Sequence, residues 1–369
     1  MKITFVLPFA GLSGGVRVVA TYARILHERG HEVTVLSRIP RPAPKGLKPA
    51  LKALLGHKTP GHKTPTPLLD FLDPAHRRVG YEGPLDPRYV PDADVIVATW
   101  WKTAENIALL PPSKGQKFYL LQDYEVFPNL PADRVNATFH LPFQKIAVSS
   151  YIRSEIMTRH GLDQIEVIPN SVDLGQFNSP RRTKPPRPTV GLLYSDAQRK
   201  NATLALAALH LAKSRLPELR ALVFGARRPE GPDALPGWVS FHEAPAQTDI
   251  PGIYAACDAW LFTSEKEGFG LPILEAMACR TPVLATRAGA APDLIDGHNG
   301  TLLPATPEAF ADEILRFARM PEAQWQDFSE AAHRTATAYT WEDATDRLLA
   351  LFARAVGDDS AARPRDVVT

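Results

Sequence analysis

The chain predicts an α/β protein built from two Rossmann-like domains in succession. Three observations carry that expectation. Short β-rich runs alternate with helical runs from the first residues onward, the mark of a parallel sheet with helices on both faces. The alternation breaks over 174–188, where prolines and basic residues gather, and then begins again. The length, 369 residues, fits about two domains at roughly 100–200 residues each.

The elements follow in order. Residues 3–7 are β-rich; Gly11, Gly14 and Gly15 break the run; Val16, Val19, Ala20, Ala23 and Leu26 then recur at helical spacing. Gly30 stops that helix, and Val33–Leu36 reads as the next strand. Residues 38–90 differ. They are proline-rich, carry the tandem repeat Gly56–Pro60 and Gly61–Pro65, and hold more bases than acids. They read as a solvated insertion, or as a basic flap drawn to an anionic acceptor or a membrane surface. Strands are expected at 94–98, 117–121, 145–149 and 165–168, and 174–188 reads as a linker. The second series has strands at 189–193, 221–225, 259–262 and 282–285 and an alanine- and leucine-rich helix at 202–212. An amphipathic helix is expected at 341–356, before a polar, frayed tail at 357–369. The domain expectation is therefore 1–173, linker 174–188, then 189–340. A ligand is expected in the cleft between such domains, at the carboxyl ends of the strands.

Composition excludes several classes. Hydrophobic residues at 44% and charged residues at 22% are those of a globular chain, not a disordered or fibrous one. A net charge of +2 sets up no field that calls for nucleic acid. No apolar run reaches the roughly 18–20 residues that span a bilayer, and the N-terminus reads as a strand and not as a signal peptide. Cys257 and Cys279 are too few for a disulfide framework or a thiolate zinc site, so a reducing cytoplasm is the expected compartment.

The stretch Ser264–Ala278 carries the most chemistry. A strand ends at Phe262, a loop follows with Gly268 and Gly270, and Pro272 suits the first turn of a helix. The amides near Phe269, Gly270 and Leu271 then face an incoming anion, for which a diphosphate is the obvious candidate. Glu267 in the loop and Glu275 on the helix can reach one ligand from the same side. Carboxylates only accept, so they favour the hydroxyls of ribose and sugar.

This string resembles the E-x7-E motif of the family 4 retaining glycosyltransferases of the GT-B fold, with Glu267 and Glu275 at the two acidic positions. The stretches 281–295 and 299–303, the run Val167–Asp173 and the loop Ser13-Gly14-Gly15 are similar to the same family. The resemblance covers most of the chain outside 38–90. It implies two Rossmann-like domains facing each other across a cleft, with the last helix crossing back to the first domain. It implies that Glu275 holds the ribose hydroxyls and Glu267 those of the transferred sugar. Gly268, Phe269, Gly270 and Leu271 would hold the distal phosphate, and Gly14 and Gly15 would admit the diphosphate or the acceptor. The family's basic pair maps to Arg199 and Lys200. Lys200 matches the family lysine, but Tyr194 or Ser195 stands about where the usual arginine belongs, so Arg199 is the substitute. The alternative for Arg199 and Lys200 is a solvated helix start.

A second departure lies in the first domain. Many members place a His at the end of a mid-domain strand; here Gln122-Asp123-Tyr124-Glu125 stands there, a string that looks like bacterial surface-polysaccharide transferases. Gln122 or Asp123 is expected to bond the sugar or acceptor hydroxyl, unless Asp123 merely caps the next segment. His140 reads more readily as a packed or surface residue. Trp100, Trp101 and Tyr124 are candidate acceptor-binding aromatics, with one tryptophan expected in the core.

The resemblance thus implies a metal-independent transferase without a cofactor. It would move a sugar from a nucleotide sugar to a glycan or lipid-linked acceptor, in the cytoplasm or peripherally at the inner face of the membrane. Positioning and charge stabilisation on the leaving diphosphate would drive transfer. Two other functions stay open: a nucleotide-sugar epimerase on the same scaffold, which would need no acceptor, and a non-catalytic nucleotide-sugar-binding subunit. The first glycine loop does not match G-x-G-x-x-G, which weighs against a dehydrogenase.

Overall fold

A computed structural model describes residues 1–11, 13–38, 67–72, 75–79, 84–230 and 234–357. The tandem repeat and most of the basic stretch that suggested a flap lie outside these residues, as does nearly all of the tail. The described chain divides into two compact units. One comprises 1–146, 156–166 and 345 onward; the other comprises 147–155 and 167–344.

The first unit contains a parallel sheet of β1 (Lys2–Leu7), β2 (Glu32–Arg38), β3 (His76–Val79), β4 (Val95–Ala98), β5 (Gln116–Leu121), β6 (Gln144–Ala147) and β7 (Ile165–Val167). Their order is β3-β2-β1-β4-β5-β6-β7, so the winding reverses between β1 and β4. Phe5 lies opposite both Val35 and Val97, and all four residues of β4 are buried, as a strand covered on both faces requires. The helix Gly14–Glu28 buries every apolar position that the helical spacing picked out. Gly30, at φ +82°, ends it by letting the His31 amide reach the Leu26 carbonyl (3.1 Å).

The second unit repeats the plan with β8 (Thr189–Leu193), β9 (Arg220–Gly225), β10 (Val239–Glu243), β11 (Ala259–Phe262), β12 (Val283–Ala285) and β13 (Gly300–Leu302). Its order, β10-β9-β8-β11-β12-β13, reverses between β8 and β11. The core packs Val190, Leu192, Leu209 and Val223 against Phe310, Ile314 and Trp325. The helix Trp341–Val356 starts with reciprocal caps: Asp343 accepts from the Thr340 amide (2.7 Å), and the Thr340 hydroxyl accepts from the Asp343 amide (3.1 Å). Its far part belongs to the first unit, where Phe352 meets Phe118 edge-on at 4.7 Å.

Two expectations need correction. The stretch 38–90 is not wholly an insertion. Residues 76–79 pair in parallel with β2, while Leu69, Leu72, Leu85 and Val90 are buried, so apolar residues spaced among the prolines tie it to the sheet. Nor is 174–188 a free linker. Arg182 donates to the carbonyls of Cys257 (2.8 Å) and Arg280 (3.2 Å) and to the Thr281 hydroxyl (2.9 Å). Lys184 donates to the carbonyls of Ala318 (2.6 Å) and Met320 (3.1 Å). Two basic residues of this stretch are thus fastened to backbone oxygens of the second unit.

Candidate active site

In doubly wound sheets, ligands bind beyond the carboxyl ends of the strands where the order reverses. In the second unit that place lies after β8 and β11. The chain after β8 makes a short turn at Gln198–Lys200, and Asn201, at φ +48°, caps the helix Ala202–Arg215 by accepting from the Leu204 amide (3.2 Å). The chain after β11 is stapled to it. The Glu265 amide donates to the Arg199 carbonyl (2.8 Å), the Asn201 side-chain amide donates to Glu265 (3.1 Å), and the Thr263 hydroxyl donates to the Asn201 carbonyl (3.0 Å). The two loops therefore form one assembly.

Glu267 sits inside it with 6% of its surface exposed. Lys200 donates to its Oε1 in a direct ion pair, the Ser264 hydroxyl donates to the same oxygen (2.8 Å), and the Arg199 guanidinium lies 3.9 Å from Oε2. A carboxylate this far from water needs such compensation. Behind it, Gly289 adopts φ +57°, and a Cβ there would come within 2.6 Å of the Phe269 carbonyl and 2.8 Å of the Glu267 Cβ. The loop is further pinned where the Ala290 amide donates to the Phe269 carbonyl (2.8 Å) and the Ser149 hydroxyl to the Gly268 carbonyl (2.6 Å).

The helix Leu271–Ala278 follows, with Gly270 as its cap at φ +99°. A side chain at Gly270 would meet the Phe262 ring at 2.7 Å, so glycine is required both for the turn and for the fit. Pro272 brings no N–H, and the Ile273 amide turns back to the Gly270 carbonyl (3.0 Å). Glu275 is also largely buried, and the Tyr254 hydroxyl donates to its Oε2 at 2.8 Å. Lys200 and Glu267 thus come together directly, and one short loop and helix carries Gly268, Phe269, Gly270, Leu271 and Glu275.

The first unit brings a different set together. Gly14 and Gly15 form the opening turn of the helix Gly14–Glu28 and are not part of a free loop. A Cβ on Gly15 would lie 3.2 Å from the Gln122 amide group, so the glycine makes room for that side chain. Oε1 of Gln122 is buried with no hydrogen-bond partner among the described residues. Asp123 accepts from the Tyr124 amide (2.9 Å). The Tyr124 ring stacks on Phe139 (5.6 Å), and its hydroxyl meets His160 Nε2 (3.1 Å). His140 is exposed beyond the helix Ala132–Phe139. Trp100 is half-buried and stacks on Phe127 at 6.3 Å.

Trp101 must be withdrawn as an acceptor-binding residue. It is 1% exposed, in the core, and presenting its ring would forfeit roughly 2–3 kcal/mol of burial. Sequence reasoning also missed Glu125 as a structural group. It is buried and accepts from the Trp101 amide (2.6 Å) and the Tyr119 hydroxyl (3.1 Å). Burial pushes its carboxyl well above the ordinary value. Tyr254, Ser264 and Ser149 were missed as well. Each is an uncharged side chain separated in sequence from the group it holds, or too common in type to stand out.

Among the described residues no three His, Cys, Asp or Glu side chains group as a metal site, and no helix is long and apolar enough to cross a membrane.

Comparison with known proteins finds relatives of both the sequence and the fold. Residues 188–319, the segment carrying Lys200, Glu267 and Glu275, match the family model described as glycosyl transferases group 1. The chain is 31% identical over 235 residues to the D-inositol 3-phosphate glycosyltransferases of Mycobacterium bovis and Mycobacterium tuberculosis. That match covers 57% of this chain and 48% of theirs, so the chain spans about half the length of these relatives. Among solved structures, Anabaena Alr3699/HepE in complex with UDP and glucose aligns over 96% of this chain and 100% of its own, with a TM-score of 0.73 and 19% identity. Sucrose-phosphate synthase from Thermosynechococcus elongatus aligns over 96% and 99%, with a TM-score of 0.70 and 16% identity. The chain therefore has the GT-B fold, with two Rossmann-like domains, and within it residues 188–319 are similar to the glycosyl transferases group 1 model.

Proposed function

We propose that this protein is a retaining, metal-independent glycosyltransferase of the family 4 type. It moves a sugar from a nucleoside diphosphate sugar to a hydroxyl of a glycan or lipid-linked acceptor in bacterial surface polysaccharide synthesis. The observation that carries the proposal is the Glu267 cluster: a buried carboxylate held by Lys200 beside Arg199, at the sheet's switch point, next to a helix start whose second acid is Glu275. The group 1 match over the same residues supports it, as do the UDP and sugar bound by Alr3699/HepE.

In this reading the bond between the anomeric carbon and the diphosphate oxygen breaks, and a bond to the acceptor oxygen forms on the same face of the sugar. The acceptor's proton leaves with the diphosphate. Negative charge grows on the departing oxygen. Lys200 and Arg199, with the amides at Phe269, Gly270 and Leu271, meet that charge. Glu267 orients the sugar hydroxyls and Glu275 the ribose. In the first unit, Gln122, whose Oε1 has no hydrogen-bond partner among the described residues, is the candidate for binding an acceptor hydroxyl.

The test is transfer from a panel of UDP-, GDP-, dTDP- and ADP-sugars, with and without glycan acceptors. Glu267→Ala is expected to lower kcat by about 100-fold or more, as loss of a group acting at the reacting centre does. Glu275→Ala is expected to raise the donor KM by roughly 10-fold, the scale of one charged hydrogen bond. Normal kinetics in both variants would remove the assignment. Conversion of donor without acceptor would replace the transferase with an epimerase.

A further inference from the structure

Tyr254 has no part in the mechanism above, yet it is completely buried and touches a residue that does. It lies near the end of the short helix Ile250–Ala255. Its ring meets Trp260 at 4.3 Å, Phe224 at 5.9 Å and Phe177 at 6.1 Å. Its carbonyl accepts from the Thr281 hydroxyl (2.7 Å) and from the Cys257 amide (3.1 Å). Ring and backbone are therefore both fixed, and the hydroxyl arrives at one point, 2.8 Å from Oε2 of Glu275. The seat is prepared from further back. Gly191 in β8 has no Cβ, and one there would fall 2.3 Å from the Trp260 ring, the ring that braces Tyr254. A glycine, a tryptophan and a tyrosine thus hold one carboxylate oxygen in place.

We propose that Tyr254 is a positioning residue. It fixes the Glu275 carboxylate and thereby sets a preference of this site for ribonucleotides over 2′-deoxyribonucleotides. The inference rests on Glu275 as the ribose-binding acid. A carboxylate only accepts hydrogen bonds, and a ribose offers it two neighbouring hydroxyls where a deoxyribose offers one. A carboxylate free to rotate would re-aim at the single hydroxyl. One pinned by a rigid donor does not, and the missing hydroxyl leaves an acceptor unpaired in a nearly water-free place. Sites built around a hydroxyl reject analogues that lack it for this reason.

The experiment measures binding of UDP, GDP and ADP and of their 2′-deoxy counterparts by calorimetry. The proteins are the full chain, Tyr254→Phe, Glu275→Ala and the double variant. Donor kinetics use the base that binds. The unaltered protein is expected to favour the ribonucleotide about 10-fold or more. Tyr254→Phe is expected to bind it roughly 3- to 10-fold more weakly and to prefer it only about 2-fold, with donor KM raised and kcat within about 2-fold. The double variant should bind no more weakly than Glu275→Ala, because the tyrosine acts through the glutamate.

Several outcomes overturn the proposal. Tyr254→Phe could keep the full preference while Glu275→Ala loses affinity. It could weaken ribo and deoxy forms alike, which is a packing role only. It could weaken binding further in the Glu275→Ala background. The unaltered protein could show no preference. If Glu275→Ala changes nothing, or no nucleotide binds, the ribose reading itself falls and this inference with it.

Discussion

Lys200 and Glu267 hold each other, and that contact has consequences for both. Glu267 sits in a buried place where Lys200 and the Ser264 hydroxyl both bond its Oε1. Lys200→Ala should therefore do two things: leave a buried carboxylate short of its main partner, and remove a cation from the proposed diphosphate site. Loss of one partner of such a pair costs about 3 kcal/mol, less whatever water reaches the partly exposed lysine. The expected outcome is a lower melting temperature together with a raised donor KM, a lowered kcat, or both. A variant that melts and turns over normally would show that the pair is decoration. Glu125 makes the opposite case. Burial raises its carboxyl and so favours the protonated form, which glutamine resembles in charge and shape. Glu125→Gln should stay within about 1 kcal/mol of the unaltered protein in urea, whereas Glu125→Ala should lose roughly 2–4 kcal/mol by stranding the Trp101 amide and the Tyr119 hydroxyl. Equal losses in the two would contradict a neutral Glu125. Legibility follows the same line. Glu267 and Glu275 could be picked out because both acids sit on one glycine turn between a strand end and a helix start, and Lys200 because its stretch resembles a known family's basic pair. Tyr254 and Ser264 could not, because what each does depends on a partner that only folding brings within reach.

The element that matters most is the helix Leu271–Ala278 with its glycine start. It was readable because each local signal agreed: a strand end, two glycines, a proline at the first turn, then an apolar run. The elements missed lacked such agreement. β10 (Val239–Glu243) is an edge strand with one buried residue, so no alternation shows. β13 (Gly300–Leu302) has three residues and begins with a glycine whose absent Cβ lets the Val283 carbonyl approach. β3 (His76–Val79) lies within a stretch whose prolines and charges suggested no sheet at all. A test belongs at this scale. Gly270→Ala forces a side chain onto a backbone at φ +99° and into the Phe262 ring. It should destabilise the protein by about 2 kcal/mol or more. It should also weaken nucleotide diphosphate binding more than the tenfold set for Glu275→Ala, since it moves every amide of the helix start together. Gly237→Ala, at a position where a Cβ meets nothing among the described residues, is the control and should change neither. Unaltered binding in Gly270→Ala would mean that the helix start does not touch the ligand.

Over the whole molecule, two compact units each carry a buried acid that binds its proton more tightly when folded: Glu125 in the first and Asp258 in the second. Asp258 is 1% exposed and accepts from the Thr189 amide at 2.6 Å, with Lys184 at 3.9 Å. Burial outweighs these partners and lifts its carboxyl from 3.8 to about 6. The sign follows from proton counts. Between these two values the folded chain keeps a proton that the unfolded chain has released, so folding stability from this group is fully present below pH 4 and declines as pH rises toward 6. Above that the loss is complete and amounts to about 3 kcal/mol. Most paired carboxylates do the reverse and stabilise as pH rises, so the net curve of the protein hides this contribution. It emerges in a difference. Asp258→Asn cannot titrate, so its stability relative to the unaltered protein should improve steadily from pH 4 to pH 6 and then level off. Amide exchange resolves where the effect acts, because it reads local opening in each unit. Protection in β8 and β11, the strands that flank Asp258 and end at the proposed site, should follow the variant's pH curve. Protection in β4 and β5, beside Glu125, should keep that of the unaltered protein. A flat difference between pH 4 and pH 6 would mean that Asp258 is charged in the fold across that range, and that Lys184 and Arg182 outweigh its burial.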